Sequence, residues 1–290
     1  MGTRGAGTGT TLNQHGYSQL RVSIEGGIAR VTIDNPPVNV LGFGLMTDLS
    51  TLLTSLAEDT SVRVIVFDSA VPDFFIAHVD MTLGGDQDAV SELMARAPEG
   101  LNPFQALGEQ LRHQPQVTIV KLAGVARGGG AEFVTAADMA FAAIGRAGLG
   151  QIEALMGIVP GGGGTQYLGQ RIGRNRALEV VLGAALFDAE TAERYGWVNR
   201  ALPAGQLDDF VDRLARDIAA LPDGVVAAAK SALGPADLGE GMLRENKAWS
   251  GLIYLPAAGE LIAGGLAHGA QTPDGERDLE GLLRQLAPAA

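Results

Sequence analysis

Apolar residues recur along the chain with two different periods, and the changes of period divide it into elements. Residues 20 to 25 and 28 to 34 read as two strands separated by Gly26-Gly27, a dipeptide suited to a tight hairpin turn. Leu45, Leu49, Leu52, Leu53 and Leu56 then fall at helical spacing. The short β-branched run from Val62 to Phe67 follows, typical of a buried strand, so the three pieces predict a strand-helix-strand crossover. A polar, irregular stretch over 71–101 carries two helix-like segments, and Val117-Thr118-Ile119-Val120 is the next buried strand. Beyond it the pattern predicts a short helix over 131–137, a strand over 138–143 and a helix over 174–183. From about residue 187 the strand signals disappear, and Leu207, Phe210, Val211, Leu214 and Ile218 mark an amphipathic helix. The alternation predicts an α/β core followed by a helical C-terminal region.

Composition narrows the partners. The 290 residues suffice for one large domain, or for a main domain with a helical appendage. Glycine is abundant, 41 residues, without a collagen period, which suits tight turns and close backbone approaches. The formal net charge of -12, with no run of Lys or Arg, makes nucleic acid and anionic membrane poor partners. The absence of cysteine excludes disulfides, thiolate metal sites and a Cys nucleophile. No apolar stretch is long enough to span a bilayer, because the most apolar late segment, 251–267, is broken by Pro256 and Glu260. Residues 1–17 lack the apolar core of a signal peptide and are expected to form a disordered lead-in, and the protein is expected to be cytoplasmic. His15, His113 and His268 do not cluster, so no metal site is expected.

The chemistry concentrates in a short span. Gly128-Gly129-Gly130 stands after an expected strand and before an expected helix, where backbone N–H groups lack intrahelical partners and the helix dipole is positive. Such a turn can stabilise an oxyanion developing on a carbonyl, although a plain strand-to-helix turn has the same composition. The spacing lacks the G-x-G-x-x-G fingerprint and the Gly-Lys-Ser/Thr ending of phosphate loops, and no G-x-S-x-G occurs. Glu132 sits in the first turn of the helix that the triplet opens, and Glu153 lies in the apolar string from Gly150 to Gly157, surroundings that raise a carboxyl pKa. Either acid alone is as compatible with a structural role as with a catalytic one.

Together, the string GGGAEFVTAADMAFAAIGRAGLGQIEALMGIVPGGGGTQYL resembles the signature of the enoyl-CoA hydratase/isomerase (crotonase) family. In that signature a Gly-Gly-Gly-x-Glu turn is followed about twenty residues later by Gly-x-x-Glu, and then by a Pro-Gly-x-Gly-Gly-Thr loop. NPPVNVLGFGLMTDL and VRVIVFDSAVPDFFIAHVDM upstream, and ALEVVLGAALFDAETAERYGWVNRALP downstream, are similar to further family segments, so the likeness covers about residues 18–232. It implies a spiral ββα core over 18–200, a helical oligomerisation region over 201–290, and a homotrimer or homohexamer. It also implies a coenzyme A thioester as substrate, with no permanently bound cofactor. Carried over by position, Gly129 and Val79 supply the two oxyanion N–H groups, and Glu132 and Glu153 are the two carboxylates that hydrate a 2-enoyl-CoA. Val79, Asp80, Met81 and Gly129 fall on the coenzyme-binding backbone. One departure stands out: His78 occupies a position usually held by Gly, where its imidazole is either a further acid/base group in the site or a packed side chain. Double-bond isomerisation, hydrolysis, C–C cleavage and non-catalytic binding of CoA esters remain alternatives within the resemblance.

Overall fold

The computed structural model describes residues 10–11, 16–85 and 87–286. The lead-in expected over 1–17 therefore falls almost wholly outside the described residues; within it, β1 (Thr10–Thr11) pairs antiparallel with β2 (Leu20–Glu25). β2 and β3 (Ile28–Ile33) form the predicted hairpin, closed where Glu25 faces Ile28 across Gly26 and Gly27, both at positive φ. The leucine stripe belongs to α1 (Phe43–Glu58), which buries Leu45, Leu49, Leu52, Leu53 and Leu56. Each contributes roughly 2 kcal/mol of burial free energy. The helix delivers the chain to β4 (Val64–Ser69), parallel to β3 as the crossover requires.

The chain then alternates between two sheets. β5 (Phe74–Ile76), α2 (Gln87–Arg96) and α3 (Pro103–Arg112) lead to β6 (Val117–Leu122). β7 (Val125–Arg127) and α4 (Gly129–Ala136) lead to β8 (Met139–Ile144). β9 (Gly148–Gly150), a 3-10 turn at Glu153–Met156, α5 (Gly164–Ile172), α6 (Arg174–Gly183), β10 (Phe187–Asp188) and α7 (Ala189–Tyr195) precede β11 (Arg200–Pro203). The larger sheet has the order β1-β2-β3-β4-β6-β8-β11 and the smaller β10-β9-β7-β5. Three times in succession a long strand of the first passes to a short strand of the second, β4 to β5, β6 to β7 and β8 to β9. This is the α/β spiral that the family resemblance implies.

The strands β10 and β11 correct the expectation that strand structure ends near residue 187. β11 pairs parallel with β8 from Arg200 opposite Phe141 to Pro203 opposite Ile144. It is an edge strand whose Arg200 and Pro203 are exposed, so it shows neither an apolar run nor clean alternation.

Both faces of the large sheet are covered, which accounts for the four consecutive apolar residues 64–67 at the start of β4. Ile65 and Phe67 point into the main core with α1 and α4, whereas Val64 and Val66 pack with Val117, Ile119 and Phe141 beneath α8 (Ala204–Ala219). Leu207, Val211 and Ala215 are the buried stripe of that helix. The remainder is helical: α9 (Val225–Ala232), α10 (Gly239–Ile253), α11 (Pro256–Ala267), a 3-10 turn at Gly275–Asp278 and α12 (Leu279–Leu286). Leu279 and Leu283 of α12 pack with Ile152, Met156 and Ile158, on and beside the turn that carries Glu153. Among the described residues no single helix is long and apolar enough to cross a membrane.

Candidate active site

The glycine triplet forms the turn from β7 into α4. Gly128 stands at φ 48° and ψ -124°, a conformation that costs a side-chain-bearing residue dearly, and its N–H donates to the Gly150 carbonyl at 2.9 Å. Gly129 opens the helix, so its N–H has no intrahelical acceptor, and no described hydrogen bond uses it. Opposite lies the segment after β5. There Val79 forms a parallel bridge with Leu41, in which Leu41 N–H donates to the His78 carbonyl at 2.8 Å and Asp80 N–H donates to the Leu41 carbonyl at 3.2 Å. That pattern turns the N–H of Val79 itself away from Leu41, and it too donates no described hydrogen bond. The two turns touch: a β-carbon on Gly129 would lie 2.5 Å from Val79 Cγ2 and 3.3 Å from Leu41 Cδ2.

Both carboxylates flank this turn. A β-carbon on Gly128 would stand 2.7 Å from Glu153 Oε1, and one on Gly129 3.8 Å from Glu132 Oε2. Glu132 is buried on α4, and its Oε1 accepts the N–H groups of Gly162 and Gly164 at 2.8 and 2.9 Å. Glu153 is buried at the head of its 3-10 turn, where the Gln151 side-chain amide, in the orientation that satisfies both of its ends, donates to Oε2 and Oε1 at 2.9 and 3.1 Å. Burial pushes the Glu132 carboxyl well above the usual carboxylate range; the charges of Glu153 and Glu245 add to this, and the two glycine N–H groups oppose it. Burial likewise pushes Glu153 up to about 8, against its own N–H and that of Ile152, with the charge of Glu245 adding to the rise.

Glu245, on α10, is a site residue that the sequence did not reveal. It accepts Gly163 N–H at 2.5 Å, Thr165 N–H at 2.8 Å, the Thr165 hydroxyl at 2.5 Å and the Gln105 amide at 3.1 Å. The loop Pro160–Thr165 is thus gripped from two sides, alternate N–H groups going to Glu132 and to Glu245. Asn102 adds a third hold: it caps α3 through the N–H groups of Phe104 and Gln105, and donates to the Gly161 carbonyl at 2.7 Å. Glu245 lies in LRENKAW, a solvated-looking string whose chemistry appears only when α10 packs over the loop.

Three positions singled out in the sequence make internal contacts, and His78 takes the packed of its two alternatives. His78 is not free for acid/base work: Nε2 lies 2.8 Å from Glu276 Oε1 and Nδ1 2.7 Å from the Val79 carbonyl, both acceptors. Its backbone is not at positive φ, so the side chain in place of Gly brings no strain. The N–H groups of Asp80 and Met81 are spent internally, on the Leu41 carbonyl and on Gln271 Oε1 at 2.6 Å. For coenzyme contacts this leaves carbonyl oxygens rather than amides.

The fold thus brings two unspent backbone donors together between two buried acids, Glu132 and Glu153. The enoyl-CoA hydratase/isomerase family model matches residues 23–238, about three quarters of the chain. The chain belongs to this family. Among relatives, the human mitochondrial methylglutaconyl-CoA hydratase is 33% identical over 195 residues, 65% of this chain and 55% of that one. The chain thus spans little more than half the length of this relative. The protein echA8 of Mycobacterium bovis, provisionally described as an enoyl-CoA hydratase, is 29% identical over 80% of this chain and 88% of its own. A crystal structure from Streptomyces avermitilis, provisionally described in the same way, superposes with a TM-score of 0.93 at 69% identity, covering 94% of this chain and 100% of that one. The enoyl-CoA hydratase of Bacillus anthracis aligns with a TM-score of 0.67 at 27% identity, over 86% and 95%.

Proposed function

We propose that this protein adds water across the double bond of a 2-enoyl-CoA. The observation that carries the reading is the turn at Gly128–Gly129, where unspent N–H groups of Val79 and Gly129 lie beside two buried carboxylates, Glu132 and Glu153. In this reading the thioester oxygen accepts both N–H groups, and negative charge that develops there as water attacks the β-carbon is stabilised by the N-terminus of α4. One carboxylate, ionised, takes a proton from the attacking water, and the other, protonated, delivers one to the α-carbon. The pair therefore carries one proton before and after the addition, and the raised pKa of both groups keeps such a proton available near neutrality.

Two carboxylates suit hydration better than migration of a double bond, in which a single base can remove and return the proton. The test is turnover of a panel of 2-enoyl-CoA thioesters, followed by loss of the conjugated-thioester absorbance. Glu132→Gln and Glu153→Gln should each lower kcat by about a hundredfold or more. Wild-type rates in both variants would remove the assignment. A product that keeps its double bond at a new position would replace hydration with isomerisation.

A further inference from the structure

The two backbone segments that supply the unspent N–H groups share one carboxylate. Glu276, on the 3-10 turn before α12, is 1% exposed and reaches both. Its Oε1 lies 2.8 Å from His78 Nε2, next to Val79, and its Oε2 accepts from Arg127 Nη1 at 3.2 Å, two residues before Gly129. Arg127, wholly buried, also donates to the Glu276 carbonyl at 3.0 Å and to both oxygens of Glu280 at 2.7 and 3.1 Å. His78 returns to its own segment through the Val79 carbonyl at 2.7 Å, and Gln271 N–H donates to Glu276 Oε1 at 2.8 Å. Both ring nitrogens of His78 thus face acceptor oxygens, and the buried side chains His78, Arg127, Glu276 and Glu280 form one connected network. Burial alone would raise the Glu276 pKa; the hydrogen bond and charge of His78, the Gln271 N–H and Arg127 outweigh it and hold the carboxyl below the usual value.

We propose that Glu276 is a positioning residue for the oxyanion pocket: by holding His78 and Arg127 on its two oxygens, it fixes the separation and aim of the Val79 and Gly129 N–H groups. Backbone ties support this geometry without completing it. Arg127 N–H donates to the Ala77 carbonyl at 3.1 Å, but beyond that point no described backbone hydrogen bond joins the two segments, and the Glu276 carboxylate spans them where the donors begin. The oxyanion pocket of this chain is then completed only when its C-terminal turn is docked. His78, in place of the Gly usual in the family, is what lets the carboxylate reach the first segment. The inference rests on the oxyanion reading of the site given above.

The experiment uses the full-length protein and crotonyl-CoA labelled with 13C at the thioester carbon. The carbonyl stretch of the bound probe is recorded alongside kcat, KM and thermal midpoint. In the wild type the stretch should move to lower frequency on binding. Glu276→Gln should lose most of that downshift and about a hundredfold in kcat, the scale of a displacement near 1 Å, with KM changed by no more than roughly threefold. Leu53→Ala, which leaves a cavity beneath α1 in the main core without touching the four side chains, should lower the thermal midpoint while keeping the wild-type stretch and kcat. Should Glu276→Gln fail to fold, His78→Gln, which leaves the Arg127 pairs in place, should show a partial loss of both downshift and kcat. A wild-type stretch and kcat in the Glu276 or His78 variant would overturn the inference, as would the same loss in Leu53→Ala. Absence of a downshift in the wild type would instead remove the oxyanion reading, and the inference with it.

Discussion

Glu153 and Glu132 are costly residues in their positions, because burial disfavours their charged forms. A carboxyl whose pKa is raised in the folded state binds a proton there that the unfolded chain has already released. Stability contributed by the neutral form is thus fully present below the unfolded value near 4.5 and is lost as pH rises through the folded value. For Glu153 that window runs from about 4.5 to about 8. Glu153→Gln should therefore be more heat-stable than the wild type at pH 9, by an amount on the order of a few kcal/mol, and show little gain at pH 4. Thermal melts at the two pH values check this, and equal gains at both would contradict it. In the sequence each acid was ambiguous alone and informative only through its spacing from the glycine triplet. Glu245 was illegible, because its charge faces inward only after α10 covers the loop.

At the scale of elements, the turn from β7 into α4 and the loop before α5 form one unit. Gly129→Ala would place a methyl group 2.5 Å from Val79 Cγ2, forcing the two donor segments apart. It should lower kcat by roughly a hundredfold or more, while far-ultraviolet circular dichroism stays that of the wild type. Unchanged kcat would show that the two N–H groups do not act together. Glu245 raises the pKa of both Glu132 and Glu153 through its charge. Glu245→Gln should consequently move the pH profile of kcat/KM toward acid; a profile fixed at the wild-type position would refute the coupling. The long elements were legible from their patterns, α1 from its leucines and β4 from its short β-branched run. The short strands were not: β7 and β9 have three residues each and β10 has two, too few to show alternation. Their existence follows from pairing with one another across the spiral.

At the scale of the whole molecule, the C-terminal helices belong to the site rather than to an appendage. α8 seals one face of the large sheet, α10 brings Glu245 to the glycine loop, and Leu279 and Leu283 of α12 pack against the turn bearing Glu153. The homotrimer or homohexamer expected from the family resemblance is open to sedimentation analysis, where a species of three or six times 30.0 kDa supports it and a monomer contradicts it. The account as a whole rests on the transfer of water to carbon by the Glu132 and Glu153 pair. Its most direct test is incubation of the wild type and the two Gln variants with a 2-enoyl-CoA in water labelled with 18O, followed by mass spectrometry of the acyl product. The account predicts a 3-hydroxyacyl-CoA carrying one 18O at the β-carbon, formed by the wild type and almost absent in both variants. A product without 18O at that carbon, or label entering equally in all three proteins, would contradict it.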